Sequence, residues 1–138
     1  MQDTDPIAAI AADQPPFARL IGLRITSATP DRVEAEMTVA PDLLNRNGVL
    51  HGGAAMAFAD NLGGTATFLN LGAGEGTTTI ESKTNFFRAV EPGDTLRGIC
   101  TALHKGRSTM VWQTTILRGD GKVAAIVTQT QMILQKKR

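Results

Sequence analysis

The stretch that most limits what this chain can fold into runs from Gly52 to about Asn70, and it reads as one helix. Ala54, Ala55, Ala57, Ala59, Gly63, Gly64 and Ala66 are small and fall on several of its faces. A helix that is apolar around most of its circumference is normally buried, so the remaining chain must wrap it. Gly63 and Gly64 each cost ~1 kcal/mol against Ala inside a helix, which implies close packing or a bend. One acid, Asp60, sits in the middle. An unpaired carboxylate costs several kcal/mol to take out of water, so a buried Asp60 needs a partner or a task. Asn61 points about 100° away from it and serves another contact.

The flanking sequence supplies strands. Val33, Ala35, Met37 and Val39 alternate with Arg32, Glu34, Glu36 and Thr38, the period of a strand with one wet face. Leu23 to Ser27 reads as a shorter strand, and Phe17 to Ile21 as a helical turn after Pro15 and Pro16. Residues 1–14 form a polar, Ala-rich extension, loosely helical, and 15–138 a single domain. Pro41 to Leu50 is a loop. Beyond the helix, Gly72, Gly74 and Gly76 mark another loop, and four strands follow: Thr77 to Arg88, Thr95 to His104, Thr109 to Arg118 and Lys122 to Gln135. The last two face each other across Gly119, Asp120 and Gly121, a hairpin signal. Two strands, a buried helix and four strands predict an α+β fold, an antiparallel sheet curled around a fully buried central helix.

Composition narrows the function. A net charge of +1 and few aromatics, with no Tyr, argue against a nucleic-acid partner. The single cysteine, Cys100, excludes an intramolecular disulfide, argues against a Cys-based metal site, and falls on an inward strand position. No run approaches the ~20 apolar residues of a membrane helix. The acidic start (Asp3, Asp5) lacks the pattern of a signal peptide, so a cytoplasmic protein without membrane contact is expected. The terminal Lys136, Lys137 and Arg138 read as a solubilising end.

The start of the helix carries the chemistry. Asn45 and His51 precede Gly52 and Gly53, and free N–H groups at a helix start can hold an oxyanion. Gly there lets a ligand approach without a Cβ in the way, and it equally allows a tight entry from loop to helix. Asn47 before Gly48 is a turn signal, and Asn45 could cap a turn as well. His51 could brace the loop backbone or reach a ligand. His104, at a strand end, is expected at the surface.

Asn45, then His51-Gly52-Gly53, then Asp60 nine positions after the His, resembles the hotdog-fold acyl-CoA thioesterases of the phenylacetate-degradation type. Thr79 and Ile80, Phe86-Phe87-Arg88, Pro92-Gly93-Asp94 and the late hairpin fit the same pattern, so the resemblance spans roughly residues 15 to 134. It implies that an acyl-CoA is hydrolysed without a metal or added cofactor, coenzyme A being part of the substrate. It assigns Asp60 as general base or nucleophile, the Gly52 N–H as oxyanion donor, and Asn45, His51 and Thr79 as positioning groups. Leu44, Met56, Phe58 and Phe86 are candidates for the acyl pocket and Gly53 for substrate binding, while Arg88, Lys105 and Arg107, at strand ends, could meet the coenzyme phosphates or equally stand as solvated surface charges. The resemblance also implies a homodimer joined edge to edge, with Asp60 of one subunit meeting Gly52 of another, and dimers that pair again.

Two other functions fit the same fold. Hydratase chemistry pairs an acid with a His a few residues later, whereas His51 precedes Asp60 by nine positions. A non-catalytic acyl-CoA-binding protein remains open, because fold does not fix function.

Overall fold

In a computed structural model the described residues are 5–135; Asp3 and the basic end 136–138 lie outside them. Two short helices, α1 (Pro6–Ala12) and α2 (Pro16–Leu20), precede β1 (Arg24–Thr29) and β2 (Arg32–Thr38). A 3-10 turn (Pro41–Leu43) and a loop lead into α3 (Gly52–Phe68), followed by β3 (Gly76–Phe86), β4 (Thr95–Lys105), β5 (Thr109–Leu117) and β6 (Val123–Leu134). The strands form one six-stranded antiparallel sheet in the order β1-β2-β4-β5-β6-β3, with α3 packed against one face. This is the hotdog arrangement.

Strand alternation decides what faces the helix. Val33, Ala35 and Met37 on β2, Leu96, Gly98 and Cys100 on β4, Met110, Trp112 and Ile116 on β5, and Ala125 and Val127 on β6 are buried against Phe58, Leu62 and Ala66 of α3. Gly98 is small for a reason: a Cβ there would stand 2.5 Å from the Phe58 ring. Trp112 is wholly buried, and its indole N–H donates to Thr67 Oγ1 at 2.8 Å, so sheet and helix share a satisfied polar contact.

Two features depart from the expected pattern. The helix is not covered all round. Gly53 and Phe68 are exposed, and Ala57, Asp60, Asn61 and Gly64 between them are half-buried. These residues form one stripe, because a single sheet can close on only one side of a helix. The second feature is a bulge in β3. Thr79 pairs with Gln131 and Glu81 with Thr130, so Ile80 is an extra residue on β3. Thr77 and Thr79 on one side of it, and Ser82 and Thr84 on the other, all pair with inward-facing residues of β6. β3 is an outer strand of the sheet, with one edge unpaired among the described residues.

Candidate active site

The loop before α3 is closed by its own backbone. Asn45 N–H donates to Val49 O at 2.8 Å, Gly48 takes φ +77, and Leu44 bridges to Leu50. The Asn45 side-chain oxygen accepts from Asn47 N–H (2.9 Å) and Val49 N–H (3.3 Å), so it caps this turn. His51 N–H donates to Leu43 O at 2.8 Å, and Leu50 N–H donates to Val90 O at 2.9 Å, which fixes the loop against the rest of the domain.

His51 is the N-cap of α3. Its Nδ1 accepts from Gly53 N–H at 2.8 Å, so this ring braces the helix start and occupies the Gly53 donor. Gly52 N–H is left without an acceptor among the described residues. Asn45 and Gly52 line a cleft of about 390 Å³ together with Ala55, Phe86, Arg88 and Ala124. The Phe86 ring comes close over Gly52: a Cβ there would be 3.1 Å from its Cζ. Arg88 is held by a hydrogen bond from Nη1 to Val123 O at 2.8 Å.

Asp60 lies eight residues along the helix, about 12 Å of rise from Gly52. It lines a different and larger cleft of about 810 Å³, with Thr79, Thr77, Gln131, Asn61, Phe68 and the α1–α2 segment. The Thr79 hydroxyl donates to Asp60 Oδ1 at 2.6 Å, and Gln129 Nε2 donates to the same oxygen at 3.2 Å. Among the described residues Oδ2 has no hydrogen-bond partner, and no cation pairs with the carboxylate. A half-buried carboxylate held at one oxygen and open at the other can take a proton from water or attack an electrophile.

A family model for the thioesterase superfamily matches residues 47–125, which include the helix start, Asp60 and Thr79. The chain belongs to the thioesterase superfamily. Its sequence is 34% identical over 102 residues to the proofreading thioesterase EntH of Cronobacter turicensis, covering 74% of each chain. Its fold is similar to that of a mutant of thioesterase PA1618 from Pseudomonas aeruginosa, with TM-score 0.87, 26% identity and 96% of each chain covered. The PaaI protein of the E. coli phenylacetic acid degradation operon shares the fold, with TM-score 0.85, 23% identity, and 94% of this chain and 92% of that one covered. This thioesterase is therefore a thioester hydrolase of hotdog fold.

The structure brings together only part of the residue set expected for this thioesterase. Asp60 meets Thr79, and Asn45, Gly52, Phe86 and Arg88 share the smaller cleft. Seven candidates line neither cleft. His51 and Gly53 are engaged with each other at the helix cap. Phe58 is wholly buried against Gly98, because it falls on the sheet side of α3 and belongs to the core. Leu44 is partly buried and its side chain packs on the core, and Met56 is half-buried away from both clefts. Lys105 pairs with Asp31 and donates to Asn70 Oδ1 at 3.1 Å, just past the C-terminal end of α3. That is about 25 Å from Gly52 along a helix of 17 residues. Arg107 lies in the following turn, exposed, at the same remote end. Strands β4 and β5 are long enough to carry their shared turn past the helix, which strand-end position alone does not reveal. His104 is exposed as expected. Sequence reasoning passed over Gln129 and Gln131. The signal was present: they take inward positions on β6 between Val127 and Ile133, where apolar residues belong.

Proposed function

We propose that this thioesterase hydrolyses acyl-CoA thioesters to the free acid and CoA. Asp60 acts as general base or nucleophile on a carbonyl that is polarised by the Gly52 N–H of a second copy. The observation that carries this reading is the split site. The open carboxylate oxygen and the unengaged helix-start N–H sit on one helix about 12 Å apart and line separate clefts. One thioester cannot meet both within a protomer. A second copy joined along the β3 edge would bring its own helix start to the Asp60 cleft and make two sites per dimer. The carbonyl oxygen gains charge as the carbon turns tetrahedral, and an N–H already in place stabilises it without reorganisation. The Thr79 hydroxyl keeps the Asp60 carboxylate in one orientation. Arg88 would meet a coenzyme phosphate, a role supported by its guanidinium and its position in the lining of the smaller cleft. The reaction as proposed draws on the carboxylate and the main-chain donor, with no metal or added cofactor.

Thiol release from a panel of aryl- and alkyl-CoAs tests the reading. Wild type should turn over at least one class, and Asp60→Asn should lower kcat by about a thousandfold while still binding substrate. Wild-type protein that binds acyl-CoA without releasing thiol, or an Asp60→Asn variant of undiminished rate, would overturn it.

A further inference from the structure

We propose that Gln129 and Gln131 are positioning residues of this site. Their amides aim donors at Asp60 Oδ1, one directly and one through Thr79, and so reserve Oδ2 for the reaction. The inference rests on the function proposed above and deepens it.

Both side chains are about as buried as a side chain can be, each 1% exposed, on the inward face of β6. Gln131 Nε2 donates to Thr79 Oγ1 at 2.5 Å, and Thr79 Oγ1 donates to Asp60 Oδ1 at 2.6 Å. The direction of this chain follows from its end. An ionised carboxylate only accepts, so the single proton of the Thr79 hydroxyl must point to Asp60. The Thr79 oxygen then needs a donor from Gln131, and a flipped amide would set two bare oxygens against each other. The far end of the same amide is held as well: Thr77 Oγ1 lies 2.9 Å from both Gln131 Oε1 and Met132 O, and shares its proton between them.

Gln129 makes the second contact. Its Nε2 lies 3.2 Å from Asp60 Oδ1 and 3.5 Å from the Asp60 carbonyl oxygen, and both are acceptors, which fixes the orientation of this amide too. Its Oε1 is buried without a hydrogen-bond partner among the described residues. An apolar side chain of similar volume would fill the space without that penalty, so packing alone does not account for a glutamine here. The helix makes room for it. Gly63 lies directly opposite, and a Cβ at that position would overlap the Gln129 amide. The glycine inside α3 is thus explained by the amide it admits.

The two donors together hold the carboxylate against rotation about its Cβ–Cγ bond. Oδ1 is saturated, and Oδ2 is the oxygen left to accept the proton of an attacking water or to form the bond to carbon itself. Neither glutamine needs to touch substrate for this.

The experiment compares kcat, KM and thermal midpoint for wild type, Q131M, Q129M, G63A, T79V and T79V/Q131M, with Asp60→Asn as reference. Q131M and Q129M should lower kcat by about tenfold or more at unchanged KM, since substrate binding is untouched. G63A should lower kcat in the same way by displacing an amide it does not remove, which keeps the inference testable if a glutamine variant folds poorly. T79V/Q131M should be no slower than T79V, because Gln131 acts only through that hydroxyl. A merely structural role predicts losses that add and that follow the thermal midpoint. Glutamine variants within twofold of wild type, or additive losses in the double variant, would overturn the inference while Asp60-dependent turnover left the proposed function standing. Absence of Asp60-dependent turnover in wild type would sink both.

Discussion

At the scale of single residues, Gly52 and Cys100 give opposite lessons. Gly52 is the first residue of α3, and His51 before it has φ −64 and ψ 132, an extended conformation that a following proline favours. Gly52→Pro would remove the N–H at a position where helices tolerate proline, and the exposed Phe86 ring, 3.1 Å from a Cβ there, would have to give slightly, so it should lower kcat about a hundredfold with only a modest fall in thermal midpoint. An unchanged kcat would remove Gly52 from the mechanism. Cys100 shows how burial silences a nucleophile: removal from water pushes its thiol up to about 11. Iodoacetamide at pH 7 should leave it unlabelled in the folded protein and label it in denaturant, as mass spectrometry would show. The sequence made the Asp60 and Thr79 pairing legible only through resemblance, because nineteen positions and the change from helix to sheet separate them, and the bulge that follows Thr79 breaks the alternation that would have told which face of β3 it takes. Asn45 was legible as a turn residue from its type alone, and its oxygen does cap the turn.

Among the elements, the β5–β6 hairpin can be read most directly from sequence and carries the clearest electrostatic prediction. Gly121 takes φ +82, and Arg118 N–H closes on Lys122 O at 2.9 Å. The Arg118 guanidinium, hydrogen-bonded to Asp120, holds that carboxyl down to about 2, with help from the Lys122 N–H. A carboxyl lowered on folding adds stability that is complete above its unfolded value, near 3.8, and is lost as pH falls toward 2. Asp120→Asn should therefore flatten the fall of the thermal midpoint between about pH 4 and 2 relative to wild type. A variant with the same slope as wild type would show that the pair contributes nothing to the hairpin. Strand and helix identities were legible because alternation and small-residue clustering follow directly from which atoms face the core. Where the ends of β4 and β5 would lie relative to α3 was not legible. That depends on strand length against helix length in three dimensions, and it moved Lys105 and Arg107 away from the clefts. No helix among the described residues is long and apolar enough to cross a membrane.

At the scale of the whole molecule, the split between the Gly52 and Asp60 clefts predicts complementation. Inactive Asp60→Asn and Gly52→Pro chains, unfolded together and refolded, would form mixed pairs in which one site takes a native glycine from one chain and a native aspartate from the other. Activity should return to about a quarter of wild type, since half the pairs are mixed and one of their two sites is intact. A mixture as dead as its parents would overturn the shared site. The open stripe on α3 could not be foreseen from composition, because a helix apolar on every face looks the same in sequence whether one sheet covers it or a sheet and a second molecule do. The register of the sheet, in turn, hangs on Ile80. Excising that one residue would keep every strand and the helix but force strict alternation through β3, so that either Thr77 and Thr79 or Ser82 and Thr84 would turn inside out. A chain shorter by a single apolar residue would thus be left choosing between a carboxylate without its hydroxyl and an outer strand without its shape.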